Sequence, residues 1–480
     1  MDNKTKRSGE MFTTVRIRLL AVTCGALFMA MLDNLVLSVA LPTIQQSLQA
    51  SFTDLQWIMN AYMFAFAVLL IPFSMMGDRF GRKRVFLIGL LVFTVGSALC
   101  ALSGSPLQLI LSRAIQGIGG AAIVPLSLTL VNLAFPKNKR AAALGIWSGV
   151  SGLGLSIGPL VGGLIVEGLS WSLIFWLNVP VGLLSFVLGL FWLEESKGEQ
   201  KPINFPGVAL LVIGLLGIVY GLEEGSNAGW GAQGTLLPLV AGGILLVLFY
   251  FWERKRPVPY IRFELFRSSK YTAYVLGGFW MLAGIFGAIF LLSLFLQQAQ
   301  GYSALEAGIR MMAWTTCSMI AAPLSGMAVT RLGARNVLIV GFLMQTLALV
   351  GFAWLIAAQG TGFPFVQSAP LLMLAGTGMG LSFTPLAHGV LSSVSDSSVG
   401  EASGVSNASR ELGGVFGIAL VGIFFNADPA IATPADYSEH IVPVLQMCAG
   451  MLGLGLIILF FGTRERVGRK AGVRTAGTRG

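Results

Sequence analysis

The chain has 480 residues, of which 55% are hydrophobic and only 11% charged, against roughly 25% charge in a soluble domain. An ordinary globular protein is excluded, and apolar runs recurring from Leu19 to Phe461 make the bilayer the solvent throughout. The net charge of +10 does not point to nucleic acid, because the basic residues form short clusters between apolar runs and no folded polar surface.

A polar, basic start (Lys4, Lys6, Arg7, Arg16, Arg18) leads into the first apolar run with no small-residue cleavage site, which predicts a retained helix. Runs of bilayer-spanning length follow at 19–41, 52–76, 85–103, 106–134, 141–166 and 171–192, and then at 206–222, 235–252, 272–298, 305–329, 336–357, 370–393, 402–425 and 441–461. The expected fold is an all-α integral membrane protein of fourteen transmembrane helices, with both termini on one side. Alternate loops carry the basic residues: Arg79 to Arg84, Lys137 to Arg140, Lys197 and Lys201, Arg254 to Lys270, Arg331 and Arg335, and the tail from Arg464. The opposite loops carry Asp54, Glu167, Glu223, Glu224, Glu306, Asp428, Asp436 and Glu439. The bias places the basic loops and both termini in the cytoplasm of a cell whose inner membrane the chain spans.

Cys24, Cys100, Cys317 and Cys448 lie inside apolar runs without metal or redox spacing, so no metal or cofactor is expected. The turn Asp78-Arg79-Phe80-Gly81-Arg82 after the second span is echoed by Thr330-Arg331-Leu332-Gly333-Ala334-Arg335 after the tenth. Such a repeat divides the chain into a six-helix bundle at 15–195, two inserted helices at 203–256 and a second six-helix bundle at 270–465.

Several stretches together resemble the major facilitator superfamily, in its fourteen-helix drug–proton antiporter branch. Leu32-Asp33-Asn34 running to Ala40-Leu41-Pro42 is similar to the branch's first-helix pattern. Gly77, Asp78, Arg79, Gly81, Arg82 and Lys83 resemble the cytoplasmic gate motif, with Ser74 in place of its leading glycine. Leu109, Arg113, Gln116, Gly117, Gly119 and Ala121 resemble the fourth-helix motif, whose arginine the family associates with proton transfer. Gly154, Gly158, Pro159, Gly162 and Gly163 are similar to the fifth-helix signature of antiporters, and this is what the resemblance offers for export. Trp171, Phe175, Asn178, Pro180 and Gly182 match the sixth-helix pattern, with Ser172 and Leu173 replacing its Arg-Trp. The tenth span lacks the deep acid of relatives with broad cation range, which argues against divalent cations as substrates.

The residues carry a physical reading of their own. Asp33 is the carboxylate placed deepest in a span, where a charge costs roughly 2.5–3.5 kcal/mol. It lies about eight residues from the outer end of its helix and Arg113 about seven from that of its own, so at ~1.5 Å per residue their depths agree and they can share one cavity. Arg113, Gln116, Gly117 and Gly120 share a helix face turned to the bundle interior, which predicts a water- or substrate-lined space. Asp33 and Arg113 are the expected proton-coupling residues. Asp78 with Arg79, Arg82 and Lys83 forms a helix-end network able to close the cytoplasmic side. Adaptable or aromatic side chains suited to lipophilic cations include Met29, Tyr62 and Trp314, with Gln116 as a polar contact. Glu223 and Glu224 read as structural or surface charges, and Glu306 as a partner for Arg310 at i, i+4 spacing. The expected activity is proton-coupled export of lipophilic or cationic drugs by a monomer; a self-resistance exporter of an endogenous antibiotic, a nutrient–proton symporter and a non-transporting receptor stand as alternatives. No nucleophile–base set, phosphate loop or metal cluster suggests an enzyme.

Overall fold

A computed structural model of the chain describes residues 2–198, 202, 204–257, 259, 261–395, 398–424 and 434–464. The basic tail after Arg464, Lys201 and Asp428 lie outside the described residues. The helices are α1 (Asp2–Leu48), α2 (Phe52–Phe80), α3 (Arg82–Ala101), α4 (Pro106–Ala134), α5 (Lys137–Gly168), α6 (Leu173–Trp176) and α7 (Asn178–Trp192). They continue as α8 (Phe205–Ala228), α9 (Gln233–Arg254), α10 (Ser269–Leu294), α11 (Ala304–Leu332), α12 (Ala334–Gln359), α13 (Phe365–Ser392), α14 (Val399–Phe424) and α15 (Pro434–Gly462).

Among the described residues, 13 spans are long and apolar enough to cross a membrane, with α6 and α7 serving as one. α14 is the less apolar fourteenth rod, because Glu401, Arg410 and Glu411 interrupt it. The sixth predicted span is one rod from Leu173 to Trp192, and Leu177 between α6 and α7 keeps helical geometry (φ −57°, ψ −34°). The outer surface bears large apolar side chains such as Leu107, Phe191, Leu237 and Trp354, which only a hydrocarbon environment covers at this density.

The helix ends explain the turns. Ser51 caps α2 with its Oγ accepting from the Asp54 amide at 3.1 Å, and Asp54 Oδ2 accepts from the Ser51 amide at 2.8 Å. Ser303 and Glu306 form the same capping box on α11, satisfying amides that would otherwise be orphaned. Both helices end at a glycine with positive φ, Gly81 at +116° and Gly333 at +77°, a region that a side chain disfavours. The repeat seen in the sequence is therefore a repeat of backbone geometry at both ends of α2 and α11. Glu306 is engaged by its cap, so the expected Glu306–Arg310 carboxylate pair is replaced: Arg310 donates to the Glu306 backbone carbonyl at 3.0 Å and its guanidinium sits 3.6 Å from the Tyr302 ring centroid.

α1 packs on α5, α4 and α7, while α3 and α2 pack on α4. α10 packs on α14 and α15, and α13 on α11 and α12. The two groups meet along two seams, α5 against α11 and α2 against α14; α8 and α9 pair with each other and lean through α8 on α14 and α2. The end of the molecule carrying Asp54, Glu167 and Glu306 is termed the acidic end, and the end carrying Arg79 to Arg84 the basic end. At the acidic end the groups are tied together. Ser293 Oγ donates to the Ser38 carbonyl at 2.7 Å, Gln297 to that of Val39 at 2.9 Å, and Gln56 to that of Ile418 at 2.6 Å. Gln297 lies in a π-helical turn, Phe295–Ala299, that extends α10. Glu167 accepts from Ser303 Oγ at 2.6 Å and the Leu305 amide at 3.0 Å. Midway along, Ser156 and Thr315 exchange hydroxyl-to-carbonyl bonds at 3.2 and 3.0 Å. Towards the basic end of α5, a Cβ at Gly145 or Gly149 would meet nothing within 4 Å.

Candidate functional site

The predicted pair meets. Asp33 of α1 and Arg113 of α4 form a direct ion pair through Oδ2 and Nη1, each residue only 1% exposed. Asp33 Oδ1 accepts two further bonds, from Gln116 Nε2 at 2.8 Å and Asn178 Nδ2 at 3.0 Å. Gln116 Oε1 accepts from Arg113 Nη1 at 2.6 Å, and Gln116 Nε2 also donates to Ser97 Oγ at 2.8 Å. Arg113 Nε reaches the Ile58 carbonyl at 3.3 Å, and its guanidinium lies 4.4 Å from the Tyr62 ring centroid. A buried charge pair survives only when its remaining donors and lone pairs are met, and here α2, α4 and α7 each contribute a partner, with Ser97 of α3 holding Gln116.

Local sequence sets this geometry. Arg113 and Gln116 are three apart on α4 and so share a face. Asn178 is the first residue of α7, on the side of that rod that meets α1 and Asp33. The space expected beside Gly117 and Gly120 is filled. A Cβ at Gly117 would collide with the Tyr62 backbone, and one at Gly120 would stand 2.9 Å from Tyr62 Oη. The glycines admit α2, not water, and that close approach is what brings the Ile58 carbonyl to Arg113. Met29, Tyr62, Gln116 and Trp314 are all at most 1% exposed, so none lines an accessible cavity in this conformation; Trp314 Nε1 faces Met379 Sδ at 3.2 Å. Tyr62 Oη is buried without a hydrogen-bond partner, a cost of about 1–3 kcal/mol.

The glycine–proline stretch of α5 has two faces. Gly154, Gly158 and Gly162 face α1, where a Cβ at Gly158 would stand 3.2 Å from the Val36 amide. Gly163 and Pro159 face α11: a Cβ at Gly163 would lie 2.7 Å from the Ala304 carbonyl, and one at Gly308 would collide with the Pro159 carbonyl. The Pro159 and Gly163 face is the contact surface between the two groups at the acidic end, and the other face seats α5 on α1.

At the basic end Asp78 pairs with Arg82 at 2.7 Å, while Arg79 lies against Phe80. The turn's other partners come from the strand of chain after α7. Glu195 accepts from the amides of Lys83 and Arg84 at 3.1 and 3.2 Å, the Arg82 amide donates to the Ser196 carbonyl at 2.9 Å, and the Gly198 amide to that of Asp78 at 2.9 Å. Gly77 presses on Leu126 of α4.

Sequence reasoning missed Ser97, the Ile58 carbonyl, Glu195 and Glu223. Polarity inside an apolar run was the available signal for Ser97. For Glu195 it was an acid at the amino end of a linker facing a basic turn. Glu223 is 1% exposed and bonded by Asn60 of α2 at 2.7 Å, so it is an interior residue and not a surface charge.

A family model described as Major Facilitator Superfamily matches residues 23–418. The chain is 34% identical over 427 residues to the tetracenomycin C resistance and export protein of Streptomyces glaucescens, covering 88% of this chain and 78% of the relative. It is 33% identical over 432 residues to the multidrug resistance protein Stp of Mycobacterium tuberculosis, covering 90% and 79%. The crystal structure of a peptide transporter, POT, superposes with a TM-score of 0.68 at 18% identity, covering 93% of each chain, a likeness of fold alone.

Proposed function

Because the chain belongs to the Major Facilitator Superfamily, a family of multi-pass membrane transporters, we propose that it exports lipophilic or cationic drugs in exchange for protons by alternating access. The observation that carries this reading is the buried Asp33–Arg113 pair with its amide partners, set beside both seams. A proton on Asp33 cancels the charge that holds Arg113, and a cationic substrate competes with that proton for the same carboxylate. Mutually exclusive occupancy of one site is what couples opposite fluxes. The closed acidic end and the open space beside Gly145 and Gly149 in the basic half of α5 support one of the two states that alternation needs. In this reading the acidic end faces outward, the basic end and both termini face the cytoplasm, and the monomer transports.

The two bundles at 15–195 and 270–465 rock about the α5–α11 and α2–α14 seams, with Gly163 and Gly308 as the contact that parts. Asp78, Arg82 and Lys83 hold the linker in this state, and with Arg79 they become available to the opposing bundle when the basic end closes. Met29, Tyr62, Gln116 and Trp314 become substrate contacts only as their packing opens, and the unpartnered Tyr62 Oη is a donor for that state. A dedicated exporter of one natural product is the second reading, supported by the export protein of Streptomyces glaucescens. Everted vesicles test both. Imposing a proton gradient should drive uptake of a fluorescent lipophilic cation, and Asp33→Asn should abolish it. Uptake of a polyketide antibiotic but of no unrelated cation would favour the dedicated exporter, and gradient-independent uptake would end the antiport reading.

A further inference from the structure

The transport scheme above leaves the buried acid Glu223 unused. Glu223 lies on α8, five residues short of its end at Ala228, so at ~1.5 Å per residue it sits about 8 Å inside the helix. It is 1% exposed, and an ionisable group at such a place is costly enough to mark a function. Its partner is the carboxamide of Asn60 on α2, itself fully buried, whose Nδ2 donates to Glu223 Oε1 at 2.7 Å. Asn60 Oδ1 has no hydrogen-bond partner. That combination suits a carboxylic acid better than a carboxylate. An amide facing a protonated carboxyl can give one bond through its N–H and receive one through its oxygen, and only the acid form has the O–H to give. Nearby, three residues earlier on each helix, Trp57 and Tyr220 lie with ring centroids 6.2 Å apart.

The position matters as much as the pairing. Ile58 and Tyr62 turn one face of α2 to Arg113. Asn60, two residues on and about 200° round the helix, turns the opposite face to α8. The Asp33 and Glu223 sites therefore lie back to back across α2, the helix that forms one seam with α14, and α8 leans on both seam helices. Other charged groups on the elements packed against Glu223 are Asp54, Asp78 and Arg79 on α2, Glu401, Arg410 and Glu411 in the basic half of α14, and Glu253 and Arg254 at the far end of α9. Glu224 is its neighbour on α8.

We propose that Glu223 is a second proton-carrying site of the transport cycle, which makes the inserted helix pair part of the coupling machinery. Its carboxylate takes one proton from water at the acidic end, shares the resulting O–H with Asn60 Oδ1, and returns the proton to water when α2 moves relative to α8; no other reactant is consumed. The inference rests on the proton-exchange reading above, and its test separates the two.

The full-length protein in lipid nanodiscs is titrated while the infrared carbonyl band of protonated carboxyl groups is followed, in wild type, Asp33→Asn and Glu223→Gln. A band that persists in Asp33→Asn and disappears in Glu223→Gln is expected; titration spectra indistinguishable between wild type and Glu223→Gln overturn the proposal. This readout needs no transport, so it stands even if the protein exports nothing. In proteoliposomes, Glu223→Gln should still move a fluorescent lipophilic cation but with one proton fewer, lowering the steady-state accumulation ratio about tenfold per unit of pH gradient. An unchanged ratio refutes the assignment. Should Glu223→Gln fail to fold, Asn60→Leu decides: the pH at which the Glu223 band appears shifts if the two groups share the proton, and stays where it was if they do not.

Discussion

Replacing Asp33 by asparagine and Arg113 by glutamine, singly and together, separates a stability role from a transport role. Asp33 Oδ1 accepts from two amides and Oδ2 from Arg113, so three of the carboxylate's about four lone-pair sites are aimed at a donor. In Asp33→Asn the new side chain would have to point its own NH2 at either Arg113 or the Gln116 and Asn178 amides, leaving a buried guanidinium facing a neutral group. Arg113→Gln leaves the Asp33 carboxylate with amides only. Breaking a buried pair from either side costs about 3–5 kcal/mol, a large part of the ~5–15 kcal/mol that holds a protein folded. In the double variant the charge is gone, and the two introduced carboxamides can satisfy one another together with Gln116 and Asn178. The double should lose no more stability than either single, a coupling of about 3 kcal/mol or more. Reversible unfolding in mixed micelles measures all four forms. Losses that simply add, within about 0.5 kcal/mol, would refute the argument that the cost lies in uncompensated buried charge.

Other consequences are directly measurable. Gly308→Val drives a side chain into the Pro159 carbonyl, so spin labels at the exposed positions Leu164 and Ile309 should move apart as the acidic end opens; an unaltered distance distribution would contradict the seam assignment. Glu195→Gln removes the carboxylate that receives the Lys83 and Arg84 amides, and hydrogen exchange at those amides should quicken while the Gly333 turn is unaffected. Equal rates in the two forms would show that the linker does not restrain the gate turn. Arg310→Leu removes the stack on Tyr302 and should lower stability by about 0.5–2 kcal/mol, read from the same unfolding assay; an unchanged midpoint would mean the stack is solvated and weak.

The spans were legible because run length and loop charge are local properties, and the Asp33–Arg113 pairing because helix rise converts sequence position into depth. What escaped depended on how helices lie against one another. Glu223 looked peripheral because it closes an apolar run, yet α8 leans on α2 and covers it with Asn60. The room expected beside Gly117 and Gly120 is taken by Tyr62, since small residues permit close approach without saying whether a helix or a cavity fills it. Arg310 turned to Tyr302 and a backbone carbonyl because its predicted partner, Glu306, caps its own helix.

The most direct test of proton-for-drug exchange follows protons, not drug. Proteoliposomes holding the purified protein and an internal pH dye, with no initial pH difference, are given an external pulse of a lipophilic cation that is not itself a weak base. Antiport predicts that inward movement of the cation expels protons and raises internal pH, in wild type but not in Asp33→Asn. Acidification with substrate entry would show symport, and cation entry with no change of pH would contradict coupling altogether.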